Sequence, residues 1–264
     1  MKIGFIGCGN MARAMIGGIL KKELVKKEDI MASDRGEEAL LIAKEAFGIS
    51  TYKDNCQVAG QADVLFLAVK PIFYEQVITE IRESVSKNCL LVSIAPGKSI
   101  DWILQCFGKD LALVRAMPNT PALVGEGMAG LCYSLRVKKE EKALAESLFS
   151  SFGKCQEVEE RLMDAVVSAS GSAPAYVFMM IEAMADAAVA EGMPRDKAYT
   201  FASQAILGSA KMVMETGMHP GALKDMVCSP GGTTIEAVRI LEERGFRSSL
   251  MEAMRVCAKK ARES

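Results

Sequence analysis

A chain of 264 residues, half hydrophobic and a quarter charged, has ordinary globular composition and room for one or two domains. Its net charge of −1 argues against a nucleic-acid partner, and its one dense basic run, Lys259, Lys260 and Arg262, reads as a helix end whose cations suit the macrodipole. Eight cysteines stand singly without a C-x-x-C spacing and His219 is the one histidine, so no metal site is expected and the thiols read as reduced, buried groups of a cytoplasmic protein.

The opening run 1–7 is apolar but short and soon broken by glycine, unlike a secretory signal. From it to about residue 158, β-branched runs alternate with amphipathic stretches. The pattern predicts strands over 2–6, 29–32, 64–68, 90–94, 111–116, 128–133 and 154–158, with helices over 11–21, 37–47, 72–84 and 138–152. VLFLAV and LLVSIA are near-continuously apolar, as strands covered on both faces are. The alternation predicts a doubly wound, mostly parallel sheet over 1–160.

The remainder, 161–264, is rich in Ala and Met and helical in period, with helices expected over 172–191, 196–216, 233–244 and 246–262. Across 173–190 only Glu182 and Asp186 are charged. That approaches membrane-spanning length, yet two central carboxylates are costly in hydrocarbon, so the expectation is a helix buried in protein and no membrane partner. A helix apolar on every face in so small a domain needs a second copy, hence a homo-oligomer.

Gly7, Gly9 and Ala12 form a G-x-G-x-x-A turn between the first strand and the first helix. Gly7 permits the sharp bend, Gly9 admits a pyrophosphate, and Ala12 lets helix and strand pack closely; the N–H groups from Asn10 and Met11 onward face the anion. Near the end of the second strand stand Ser33, Asp34 and Arg35. An acid there suits the ribose of NAD, while Ser33 with Arg35, if Asp34 turns away, forms a clamp for the 2′-phosphate of NADP; the residues leave both open. Two further loops, Ala68-Val69-Lys70-Pro71 and the one holding Pro118, Asn119 and Thr120, follow strand ends, where open sheets bind ligands. Lys70 reads equally as an exposed lysine, and Asn119 as a turn former.

A third signal is Ser229-Pro230-Gly231-Gly232-Thr233-Thr234 ahead of a helix. Hydroxyls and free N–H groups gather there in front of a helix dipole, a setting for a small carboxylate. The alternative is a plain N-cap at Thr233, with Glu236 completing a capping box.

GFIGCGNMA, LFLAVKP, RAMPNTPA, SGSAPAYVFMMIEAMADAAV and HPGALKDMVCSPGGTTIEAV occur in that order across the chain. In these stretches and their spacing the sequence resembles the pyrroline-5-carboxylate reductase family. The resemblance implies a Rossmann-type domain followed by an all-α dimerisation domain, with dimers that often build rings. It also implies reduction of the C=N bond of Δ1-pyrroline-5-carboxylate to L-proline by NADPH, or by NADH. The Ser229 hydroxyl and the amides of Gly232, Thr233 and Thr234 would hold the substrate carboxylate, with Gly231 also in the substrate loop, and the Thr234 hydroxyl would hold the ring nitrogen. Asn55, Lys70 and the loop of Pro118, Asn119 and Thr120 would meet the cofactor, and Asp34 departs from the family's NADPH pattern. With no histidine or acid in the signature, the proton is expected from solvent or on the substrate already. Competing readings are a reductase of a related cyclic imino acid, a dinucleotide-binding scaffold without activity, and a β-hydroxyacid dehydrogenase, which lacks the S-P-G-G-T-T loop and needs a lysine that 173–190 does not contain.

Overall fold

The computed structural model describes residues 1–263. Its first unit, Met1–Ser172 together with the chain from Cys257 onward, holds an eight-stranded sheet. In chain order its elements are β1 (Ile3–Ile6), α1 (Asn10–Lys21), β2 (Ile30–Ser33), α2 (Glu37–Phe47), β3 (Ser50–Tyr52), α3 (Asn55–Ala59), β4 (Val64–Leu67), α4 (Tyr74–Ile81), β5 (Leu90–Ser93), α5 (Ile100–Phe107), β6 (Ala112–Met117), β7 (Gly127–Tyr133), α6 (Lys139–Ser150), β8 (Gly153–Glu157) and α7 (Met163–Val166).

The strand order is β3-β2-β1-β4-β5-β6-β7-β8, parallel throughout except where β6 meets β7. The expected doubly wound, mostly parallel sheet is therefore present. The chain returns across β1 to reach β4, and at that reversal the loops after β1 and β4 diverge and open a crevice at the strands' carboxyl ends. Burial on both faces explains the apolar strands: Phe5 and Phe66 stack at 4.5 Å on one side, while Ile6, Leu65 and Leu67 join Ile78 and Phe107 on the other. The sequence reading passed over β3, a short polar edge strand, and the helices α3 and α5.

The second unit, Ala173–Val256, is all helical: α8 (Ala173–Ala190), α9 (Arg195–Thr216), α10 (Pro220–Val227), α11 (Thr233–Glu243) and most of α12 (Phe246–Arg262). The change of composition near 160 falls inside the first unit, which keeps α7 and a π-turn at Val167–Gly171. The stretch Glu160–Ala190, of hydropathy 1.3, is long and apolar enough to cross a membrane. Within α8 only Ala185 is buried by its own chain, and Phe178 and Met179 are 62% and 69% exposed.

Candidate functional site

The turn after β1 is shaped by backbone contacts. Gly7 adopts φ +98°, its N–H donates to the Ser33 carbonyl at 2.7 Å, and a Cβ there would lie 2.8 Å from the Ala68 carbonyl carbon and oxygen. Glycine is required at this position by the fold. Gly9 is different: it N-caps α1 with ordinary dihedrals, and a Cβ added to it meets nothing within 4 Å. No packing within the chain demands glycine there, whereas a pyrophosphate drawn onto the first N–H groups of α1 needs that space. This open cradle is the feature that fits the residues to a dinucleotide.

A cleft of about 250 Å³ opens beside the turn, lined by Gly7, Gly9, Asp34, Arg35, Asn55, Ala68, Val69 and Lys70, with Phe73 and Val77. Seven of the residues expected at the cofactor thus share one cavity. Phe73 and Val77 were missed, although an exposed aromatic three residues past Lys70 is a readable signal. The Arg35 guanidinium carbon stands 5.8 Å from the Phe73 ring centre, so cation and ring flank the crevice together.

Asp34 turns towards the glycine-rich turn. One carboxylate oxygen accepts from the Cys8 N–H at 2.7 Å and the other from the Gly36 N–H at 2.8 Å. Its charge therefore braces the turn. Burial, aided by that carboxylate and opposed by Arg13, pushes the Cys8 thiol up to about 11, so it stays protonated at neutral pH.

The expected clamp of Ser33 with Arg35 needs correcting in its first half. Ser33 is 0% exposed, and its hydroxyl donates to Asn55 Oδ1 at 2.8 Å. It acts on the cleft through Asn55, whose Nδ2 donates to Glu80 Oε2 at 3.2 Å. Lys70 is exposed and Pro71 begins a 3-10 turn behind it. Pro118 and Asn119 are buried rather than cleft-lining, and Thr120 is exposed; the Asn119 amide is spent on hydrogen bonds within the protein.

In the second unit, residues 229–232 form a hydrogen-bonded turn with the Gly232 N–H donating to the Ser229 carbonyl at 3.1 Å. Pro230 occupies the position that wants φ near −65°, and Gly231, at φ +68°, the one that wants a left-handed residue, as in a type II turn. The plain N-cap expected at Thr233 is not formed. Gly232 is the N-cap, no side chain caps α11, and Glu236 pairs forward with Arg239 at 3.1 Å. The helix thus begins with its first N–H groups uncapped by side chains, Ser229 and two threonines beside them.

The chain is similar to known proteins over its whole length. The model for pyrroline-5-carboxylate reductase dimerisation matches residues 160–264, and the one described as NADP oxidoreductase, coenzyme F420-dependent, matches residues 2–97. The pyrroline-5-carboxylate reductase of Escherichia coli is 50% identical over 260 residues, covering 98% of this chain and 97% of that protein. The Arabidopsis thaliana reductase is 40% identical, with 99% and 95% covered. The crystal structure of Plasmodium falciparum pyrroline carboxylate reductase with NADP bound superposes with a TM-score of 0.92 at 32% identity, covering 100% and 97%. Prephenate dehydrogenase from Aquifex aeolicus, at 14% identity and a TM-score of 0.56 with 99% of each chain covered, shares the fold alone.

Proposed function

The chain belongs to the pyrroline-5-carboxylate reductase family, and from that premise we infer that it reduces the C=N bond of Δ1-pyrroline-5-carboxylate to L-proline with NADPH. The observation that carries this reading is end-to-end likeness to the family in a chain that keeps both an open Gly9 cradle and an uncapped 229–234 loop. The experiment is direct: purified protein with pyrroline-5-carboxylate should consume NADPH and release proline. Absence of turnover with either nicotinamide cofactor rejects it.

When bound, the reduced nicotinamide supplies the hydride; the chain's residues bind and orient. Gly7, Gly9 and the N–H groups at Asn10, Met11 and Ala12 hold the pyrophosphate. Asn55, Ala68, Val69 and Lys70 form the wall of the crevice, with Pro71 behind Lys70, and Thr120 lies on the loop after β6. Arg35 takes the 2′-phosphate, since the Asp34 oxygens are occupied by backbone N–H groups. Replacing Arg35 with alanine should raise KM for NADPH about tenfold and leave KM for NADH within about twofold, the loss of one exposed charge-assisted contact. Equal effects on both cofactors reject the clamp.

At the other site, the Ser229 hydroxyl and the amides of Gly231, Thr233 and Thr234 grip the carboxylate in front of the α11 dipole; the Gly232 amide, expected among them, is instead bonded to the Ser229 carbonyl and holds the turn that presents them. The Thr234 hydroxyl holds the ring nitrogen. An iminium carbon accepts hydride better than a neutral imine, and the loop carries no acid or histidine. The proton therefore arrives with the substrate or from solvent, and the protein's contribution is positioning, which can supply roughly 7–11 kcal/mol. Thr234→Ala should lower kcat/KM about tenfold, roughly 1–2 kcal/mol for one hydrogen bond. Unaltered kinetics remove Thr234 from the mechanism.

The exposed apolar residues of α8 and α9 supply the surface on which a second copy packs, and we take the enzyme to be a cytoplasmic homodimer that assembles further into a ring. That packing removes the α8 surface from water without recourse to a bilayer.

A further inference from the structure

The loop that closes β6 is fastened by a side chain whose partners lie far along the chain. Asn119 is 8% exposed. Its amide nitrogen donates to the carbonyl and hydroxyl oxygens of Ser170, each at 3.2 Å, and its Oδ1 accepts from the Met128 N–H at 2.9 Å. Oδ1 thus ties the loop to β7 and Nδ2 ties it to the π-turn Val167–Gly171.

That turn carries a chemical reason for the second bond. In it the Ser172 N–H donates to the Val167 carbonyl, five residues back, at 2.8 Å. Four residues after Ser170 stands Pro174, which has no N–H to offer, so the Ser170 carbonyl lacks the donor that an α-helix would supply. Asn119 provides one. The turn is held elsewhere too: the Met117 side chain lies 3.7 Å from where a Gly171 Cβ would stand, and the Cys257 thiol donates to the Ser172 hydroxyl at 3.2 Å. Isolated π-turns are uncommon and recur at functional sites, and this one is bolted to the carboxyl end of β6, the edge at which such sheets bind their ligands.

We propose that Asn119 is a positioning residue for hydride transfer: by clamping the 118–120 loop to the π-turn it fixes the exposed end of that loop, Thr120, at the carboxyl edge of β6 where the nicotinamide would lie. The proposal rests on the reductase reading. It assigns Asn119 to holding protein against protein, whereas the resemblance had it touching the cofactor.

Three variants test it: N119A removes both links, N119D keeps an oxygen for the Met128 N–H but cannot donate to Ser170, and S170A removes only the hydroxyl acceptor. N119A and N119D should lose about tenfold or more in kcat, since small misplacements of reacting groups are costly. Their NADPH Kd by fluorescence titration should stay within about threefold of the parent, and C4-deuterated NADPH should give a larger primary isotope effect on kcat as hydride transfer becomes limiting. S170A should lose about two- to threefold in kcat at unchanged Kd. Parental kcat and isotope effect in N119D overturn the proposal, as does a loss carried by NADPH Kd, which makes Asn119 a cofactor ligand. If circular dichroism shows both Asn119 variants unfolded, S170A decides, and parental kinetics there reject the clamp. Should the parent itself not reduce pyrroline-5-carboxylate, the reductase reading fails separately; the clamp is then read by hydrogen exchange, where unchanged protection of the amides of 120, 128 and 167–171 in N119D overturns it.

Discussion

Gly7→Ala is expected to lose both stability and cofactor binding, whereas Gly9→Ala loses only the second. At Gly7 the new Cβ meets backbone, 2.8 Å from the Ala68 carbonyl and 2.9 Å from the Val69 nitrogen. Neither strand can retreat freely, because the Gly7 N–H is bonded to Ser33 and the Ala68 N–H to the Ile6 carbonyl at 2.8 Å. A side chain at φ +98° adds strain of its own. The two terms cost about 1–3 kcal/mol each, from backbone strain and from overpacking. At Gly9 the dihedrals are ordinary and the space is empty, so alanine there should leave the melting temperature within a few degrees of the parent, a stiffer unfolded chain offsetting a poorer N-cap. NADPH Kd should nevertheless rise at least tenfold, roughly 1.4 kcal/mol, because the methyl fills the pyrophosphate cradle. Thermal melts with fluorescence titrations separate the two variants. A Gly9→Ala protein that binds NADPH like the parent would remove the cradle from the cofactor site.

Arg115→Ala should be strongly destabilising although it removes a polar side chain from the sheet interior. Arg115 points from β6 with its side chain 6% exposed, and its NH1 donates to Glu160 Oε1 at 2.9 Å. The same oxygen accepts from the Ile100 N–H at 2.7 Å, at the start of α5. Truncating the arginine leaves a half-desolvated carboxylate without its cation, at about 3 kcal/mol; Glu160 keeps a third of its exposure, so the cost sits at the low end for broken buried pairs. For a chain of this size that is a fall of about 6–12 °C in Tm. Arg115 also carries an Nε without a partner, so the pair is already imperfectly satisfied. Arg115→Met, which refills the volume, should lose less than alanine. Glu160→Gln, which still accepts from both donors, should lose least. A Tm for Arg115→Ala within a degree or two of the parent, or the reverse order among the three, rejects this account.

Much of the architecture was legible from local pattern. The helices Glu37–Phe47 and Phe246–Arg262 agree end to end with the reading, and seven strands fall within a residue or two of it. What escaped had too little local signal. β3 is three polar residues on a sheet edge, α3 spans five residues, and α10 begins at a proline in a stretch that reads as loop. In the candidate site, the glycine turn and the S-P-G-G turn were readable because φ preferences belong to single residues. The capping box at Thr233 was not, since Gly232 cedes the cap and Glu236 takes Arg239 instead.

The order of apolar runs, the two glycine turns and the family motifs were therefore determined by the sequence itself, because periodicity and backbone preference act over a few residues. Only the tertiary structure decided that Asp34 braces the Cys8 N–H, that Ser33 serves Asn55, that Asn119 reaches Ser170, and that Arg115 finds Glu160. Each is a choice among several donors and acceptors equally compatible with the residue type. The choice falls to whichever partner the strand order brings within 3 Å or so, a distance that no local pattern encodes.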